Sequence, residues 1–146
     1  MLGHSLGGGV TLNVAVAHPD LVDAVVLYAP VHSDAWENFT RWRDEREEGD
    51  RTREALGTRE ENPLAWDALS SLSMLGEIDD PVLLFHGTAD RRVPKLWSDF
   101  LEERLTALGK DVTYVEYAGE EHEYGPKWGD FMERTAAFLD RHLRKL

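Results

Sequence analysis

Cysteine is absent from the 146-residue chain, which excludes a disulfide framework, a thiolate metal site and a cysteine nucleophile. Basic residues are scarce: 16 Lys and Arg stand against 28 Asp and Glu, a net charge of −12. That balance repels phosphate backbones and anionic lipid surfaces, so neither nucleic acid nor a membrane is expected as a partner. No apolar run approaches the ~20 residues that cross a bilayer. The first residues carry no basic region followed by an apolar stretch, so no signal peptide is read and the cytoplasm is the default location. Internal repeats and Pro-rich or Gly/Ser-rich linkers are lacking too. What is present is material for one packed core: 42% apolar residues, with five Trp and five Phe.

Three apolar, β-branched runs, at 24–29, 82–85 and 112–117, are each closed by a turn signal. The first two are apolar almost throughout, as strands covered on both faces of a parallel sheet are. Helical spacing lies between and after them. Leu96, Trp97, Phe100, Leu101, Leu105 and Leu108 recur every three or four residues up to Gly109, and Trp128, Phe131, Met132, Thr135, Phe138, Leu139 and Leu143 repeat the pattern. Strands alternating with helices predict an α/β fold with a parallel sheet. The stretch 34–61 breaks the rhythm with ten acids and six Arg. It reads as a solvated, partly helical excursion. Trp36, Phe39 and Trp42, at i, i+3 and i+6, give it one face able to cover a cleft, and with Trp66 the segment 33–78 reads as a small helical cap inserted between two strands.

The most specific signal is Gly3-His4-Ser5-Leu6-Gly7-Gly8. A serine at the tip of a sharp strand-to-helix turn needs small neighbours two positions before and after it, and Gly3 and Gly7 supply them. Such a turn strains the serine backbone, exposes its hydroxyl and aims the next N–H, that of Leu6, at a developing oxyanion. The helix after it should run from Leu6 to about Ala17. Gly7, Gly8 and Gly9 cost it roughly 1 kcal/mol each in propensity, a cost that close packing on the strand would offset. A phosphate loop is poorly supported, because the glycine spacing is wrong and no Lys follows.

A serine nucleophile needs a base and a carboxylate to orient it. Asp90 follows the strand run 82–85 and His122 follows the run 112–117, so both stand at strand C-termini, in the chain order Ser5, Asp90, His122. His32 is the best substitute for the base and His86 reads as a structural hydrogen-bonder. Asp79 and Asp80 precede their strand and fall at the wrong sheet edge. No metal or organic cofactor is implied.

These segments resemble the three catalytic segments of α/β-hydrolases. The pairing of His86-Gly87-Thr88-Ala89-Asp90 and Val93-Pro94 with Glu121-His122 and a final amphipathic helix is similar to the catalytic domains of the prolyl oligopeptidase family. That family includes dipeptidyl and acylaminoacyl peptidases, with esterases close by. The resemblance implies a serine hydrolase acting on a small ester or peptide substrate through an acyl-enzyme, with Ser5 as nucleophile, Asp90 as acid, His122 as base and the Leu6 amide in the oxyanion hole. His4, Trp36, Phe39, Trp42 and Trp66 are the candidate pocket residues. In the family the nucleophile follows the fifth strand of an eight-stranded sheet, whereas only Met1 and Leu2 precede Gly3 here. Residues 1–146 therefore read as the C-terminal part of such a domain: a partial α/β-hydrolase fold with three parallel strands, a stub and flanking helices. Its open sheet edge would invite self-association or a complementing N-terminal half. The alternative is an inactive fragment acting as an interaction module.

Overall fold

The computed structural model of the chain describes residues 1–143. Four parallel strands, β1 (Leu2–His4), β2 (Val25–Tyr28), β3 (Val82–Gly87) and β4 (Val112–Tyr117), lie side by side in chain order. Gly3 pairs with Leu27, Leu27 with Leu84 and Leu84 with Tyr114, so all four strands end at one edge of the sheet. The connections are helical: α1 (Leu6–Ala17) after β1, α5 (Lys95–Ala107) after β3, and α6 (Trp128–His142) after β4. Between β2 and β3 the chain forms α2 (Ala35–Trp42), α3 (Glu47–Leu56), α4 (Pro63–Ala68) and a 3-10 stretch (Ser71–Glu77).

Alternation along the strands makes two cores. Val25, Leu27, Val82 and Leu84 point to the layer of α1 and α5, where they meet Leu12, Val16, Leu101 and Leu105, together with Leu75 and Ile78. Val26, Tyr28, Leu83 and Phe85 point the other way, to Tyr117, Tyr124 and Phe131 beside α6. Every residue of β2 and β3 is buried, as strands covered on both faces must be, while β4 alternates partial burial with exposure. The expected α/β architecture of three strands plus a stub is the one observed.

The neck of the helical excursion is tied shut. The Leu72 N–H donates to the Ser33 carbonyl at 3.0 Å and the Ala35 N–H donates to Ser70 Oγ at 2.8 Å. Asp34 caps α2 by accepting from the Trp36 N–H at 2.8 Å. Arg59 bridges Asp34 and Asp67, joining the start of α2 to α4.

Candidate active site

Ser5 stands between β1 and α1 with φ 56° and ψ −121°, a region that L-residues rarely occupy and that costs on the order of 1–3 kcal/mol. Three bonds clamp it there. Its N–H donates to the Tyr28 carbonyl at 2.9 Å, and its own carbonyl accepts from Val31 N–H at 3.1 Å and Gly9 N–H at 3.2 Å. Leu6 opens α1, so its N–H has no carbonyl a turn earlier to meet and is available to an anion.

The sequence expectation for the glycines needs correcting. A Cβ on Gly3 would stand 2.2 Å from the Gly7 carbonyl oxygen and 2.5 Å from Thr11 Oγ1, but a Cβ on Gly7 would meet nothing within 4 Å. The turn thus demands smallness at Gly3 alone of the pair. Gly8 and Gly9 are required for another reason: α1 packs on the loop after β2, where added side chains would strike Pro30 and Val31.

Asp90 and His122 come together. Asp90 Oδ2 accepts from His122 Nδ1 at 2.7 Å, and its side chain is completely buried. Its Oδ1 accepts from the backbone N–H groups of Arg92 and Val93, at 2.8 and 2.9 Å. With the carboxylate beside Nδ1, that nitrogen holds the ring proton and Nε2 keeps a free lone pair, the form a general base requires. The two loops are laced to each other: the Ala89 N–H donates to the Glu120 carbonyl at 2.9 Å and the Gly119 N–H to Thr88 Oγ1 at 2.9 Å. A Cβ on Gly87 would lie 2.3 Å from that Glu120 carbonyl oxygen, so the loops meet only because residue 87 is glycine. Among the described residues no hydrogen bond joins Ser5 Oγ to His122 Nε2. Their loops are connected instead through His4, whose Nε2–H donates to the His122 carbonyl at 3.0 Å.

A cleft of about 440 Å³ opens beside Ser5, walled by Leu6, Val31, Ala35, Phe39 and Trp42, with Asn38 and Arg43 as its polar members. Of the aromatic residues expected there, Phe39 and Trp42 line it. Trp36 and Trp66 do not; they pack on each other edge-to-face, with ring centroids 4.9 Å apart, and on Phe39, and Trp66 is buried as the core of the helical excursion. Once α4 folds back on α2, Trp36 is spent on Trp66, while Phe39 meets both Trp66 and the cleft. His4 is also elsewhere, beside Tyr28 and Tyr124 in a separate cavity. Burial is the largest cause holding its pKa below the ordinary imidazole value.

His32, the alternative base, is held away from that task. Its Nδ1 accepts from the Asp34 N–H at 2.9 Å and its ring stacks on Phe100. Sequence reasoning assigned no part to Tyr28, which ends β2 and accepts the Tyr124 N–H on its hydroxyl at 2.5 Å, anchoring the loop just beyond His122. The one signal for it is an aromatic residue at the end of an otherwise aliphatic strand.

A sequence model of the prolyl oligopeptidase family matches residues 1–146. Among solved structures, dipeptidyl peptidase 4 of Porphyromonas gingivalis is 24% identical with a TM-score of 0.76, over 97% of this chain and 19% of that one. Acylaminoacyl peptidase of Pyrococcus horikoshii is 24% identical, TM-score 0.76, over 99% of this chain and 24% of that one. An acylaminoacyl peptidase in complex with Z-Gly-Gly-Phe-chloromethyl ketone is 26% identical, TM-score 0.75, with the same coverage of 99% and 24%. The chain thus spans about a fifth to a quarter of the length of these relatives. With the family match running from residue 1 to residue 146, the chain belongs to the prolyl oligopeptidase family.

Proposed function

We propose that the chain is the nucleophile-bearing part of a serine hydrolase that cleaves ester or peptide bonds next to an apolar group. Ser5 Oγ attacks the acyl carbonyl while His122 Nε2 takes its proton. His122 then returns that proton to the leaving alcohol or amine, and water hydrolyses the acyl-enzyme by the same route. Asp90 fixes the ring tautomer and stabilises the imidazolium. The Leu6 N–H, with the positive end of α1 behind it, stabilises the oxyanion. The observation that carries this reading is the 2.7 Å bond from His122 Nδ1 to a buried carboxylate whose other oxygen is pinned by two amides.

The cleft beside Ser5 supports the substrate class, since Phe39, Trp42 and Val31 offer an apolar wall and the similar acylaminoacyl peptidase above is in complex with Z-Gly-Gly-Phe-chloromethyl ketone. The excursion carrying Phe39 and Trp42 serves as the cap of this pocket. The test is labelling with a fluorophosphonate probe, with Ser5→Ala as control: wild type labels and the variant does not, and equal labelling of both ends the proposal. Paired p-nitrophenyl ester and p-nitroanilide substrates carrying Phe then tell ester from amide cleavage.

One feature favours a second reading, in which the chain associates through its sheet. Among the described residues β1 pairs with β2 alone, and Leu2 and Trp128 are about half exposed nearby. Light scattering distinguishes the two: a stable oligomer with no turnover of p-nitrophenyl esters supports association, and a turning-over monomer excludes it.

A further inference from the structure

His86 is the next-to-last residue of β3 and fully buried, and the reaction outlined above makes no use of it. Its Nδ1 is 2.7 Å from Ser98 Oγ on α5. Its Nε2 is 3.1 Å from the Val93 carbonyl oxygen and 3.2 Å from Asp90 Oδ2. Both neighbours of Nε2 are acceptors, so the proton of the neutral ring sits on that nitrogen, and Nδ1 accepts from the Ser98 hydroxyl. Burial pushes the His86 pKa down, which keeps the ring neutral. Val93 is consequently held from both sides. Its N–H donates to Asp90 Oδ1 and its carbonyl accepts from His86.

We infer that His86 is a positioning residue for the pair Asp90 and His122: its Nε2–H fixes the Val93 turn that grips one carboxylate oxygen and presses its positive end against the other. Asp90 Oδ2 therefore takes one imidazole hydrogen bond, from His122 at 2.7 Å, and has the Nε2 edge of His86 beside it at 3.2 Å, the His86 N–H itself being given to the Val93 carbonyl. The positive edge of a ring that close draws on the carboxylate's charge and leaves less of it for His122. His86 thereby moderates the grip of Asp90 on the His122 imidazolium. The inference rests on the roles proposed above for Asp90 and His122. The other ionisable groups around the pair are His4 on β1, Tyr28 on β2, Asp99 on α5, Arg92, and Glu120, Glu123 and Tyr124 after β4. All of them stay in place in the variants that test it.

The experiment is an NMR titration of the ¹⁵N-labelled chain. In the wild type, long-range ¹H–¹⁵N correlations should show His86 as the Nε2–H tautomer from pH 5 to 8; an Nδ1–H tautomer or an imidazolium overturns the inference without any variant. In His86→Met, which fills the space but donates nothing, the midpoint of His122 protonation should rise by about 0.5–1 pH unit. His86→Gln, whose amide can donate from near the Nε2 position, should return it close to the wild-type value. A folded His86→Met with an unmoved midpoint overturns the inference, since a merely structural histidine would leave that titration alone. If His86→Met does not fold, the wild-type tautomer decides. Fluorophosphonate labelling of the same samples separates the two levels of the argument. Labelling with an unmoved midpoint sinks only the role of His86, and a moved midpoint without labelling sinks only the hydrolase reading.

Discussion

The imidazole of His4 rests against that of His122, ring centroids 4.5 Å apart, and donates its Nε2–H to the His122 carbonyl. His4 immediately precedes Ser5, so this contact fixes the position of the His122 imidazole relative to the strand that leads into Ser5. The carbonyl obliges His4 to carry its proton on Nε2, and Tyr28, with its ring centroid 4.2 Å away, backs it from the other side.

Removing that link should cost turnover more than binding. A hydrogen bond of this kind contributes about 1 kcal/mol, about a fivefold change in rate. His4→Ala should therefore lower kcat about fivefold on a p-nitrophenyl ester with KM little changed, and His4→Gln, which keeps a donor, should recover most of the loss. A change confined to KM would return His4 to the substrate pocket.

The contact between the two loops depends on Gly87. In Gly87→Ala the new methyl would stand 2.3 Å from the Glu120 carbonyl oxygen and 2.7 Å from that of Glu121, forcing the His122 loop outward at a cost of about 1–3 kcal/mol. Urea unfolding should show that loss, together with sharply reduced hydrolysis. Gly76→Ala, where nothing lies within 4 Å, should show neither effect.

Strain at Ser5 gives a gain of the opposite sign. Glycine tolerates φ 56° and ψ −121° freely, so Ser5→Gly should raise the free energy of unfolding by about 1 kcal/mol while abolishing probe labelling. Ser5→Ala keeps a Cβ and should abolish labelling without the gain. The two variants side by side in urea check this.

Acid should destabilise the chain before its carboxylates protonate. Burial is the largest cause lowering the pKa of His4, His32 and His86. Their folded-state pKa values lie below the unfolded value of about 6.5, so between the two the unfolded chain binds more protons and stability decreases as the pH is lowered. The contribution is fully present above the unfolded value and is lost as pH drops through it. The urea midpoint should be lower at pH 5.5 than at pH 7.5, and His86→Gln should flatten the difference. Equal midpoints at the two pH values would count against neutral burial.

Much of the scaffold was legible because its signals are local. Periodicity and terminators place α1 at Leu6–Ala17 and stop α5 before Gly109, where φ is 70°. The runs at 82–85 and 112–117 locate β3 and β4 to within two residues. The meeting of Asp90 with His122 followed from chain order and from their placement at strand ends. Long-range pairings left no such mark. Nothing in the spacing of Trp36, Phe39 and Trp42 reveals that Trp66 claims the first of them and leaves Trp42 to the cleft. Nor does a histidine beside a serine announce a bond to a carbonyl 118 positions away.

The cross-bonded neck at Ser33, Ser70 and Leu72 gives the excursion between them the properties of an exchangeable cassette. Its two stems are fastened to each other, so a longer or shorter insert can be spliced in there without disturbing the alignment of β2 with β3. On the function proposed above, selectivity would be rewritten by replacing one contiguous stretch of chain, while the strand ends that lead into Ser5, Asp90 and His122 keep their spacing.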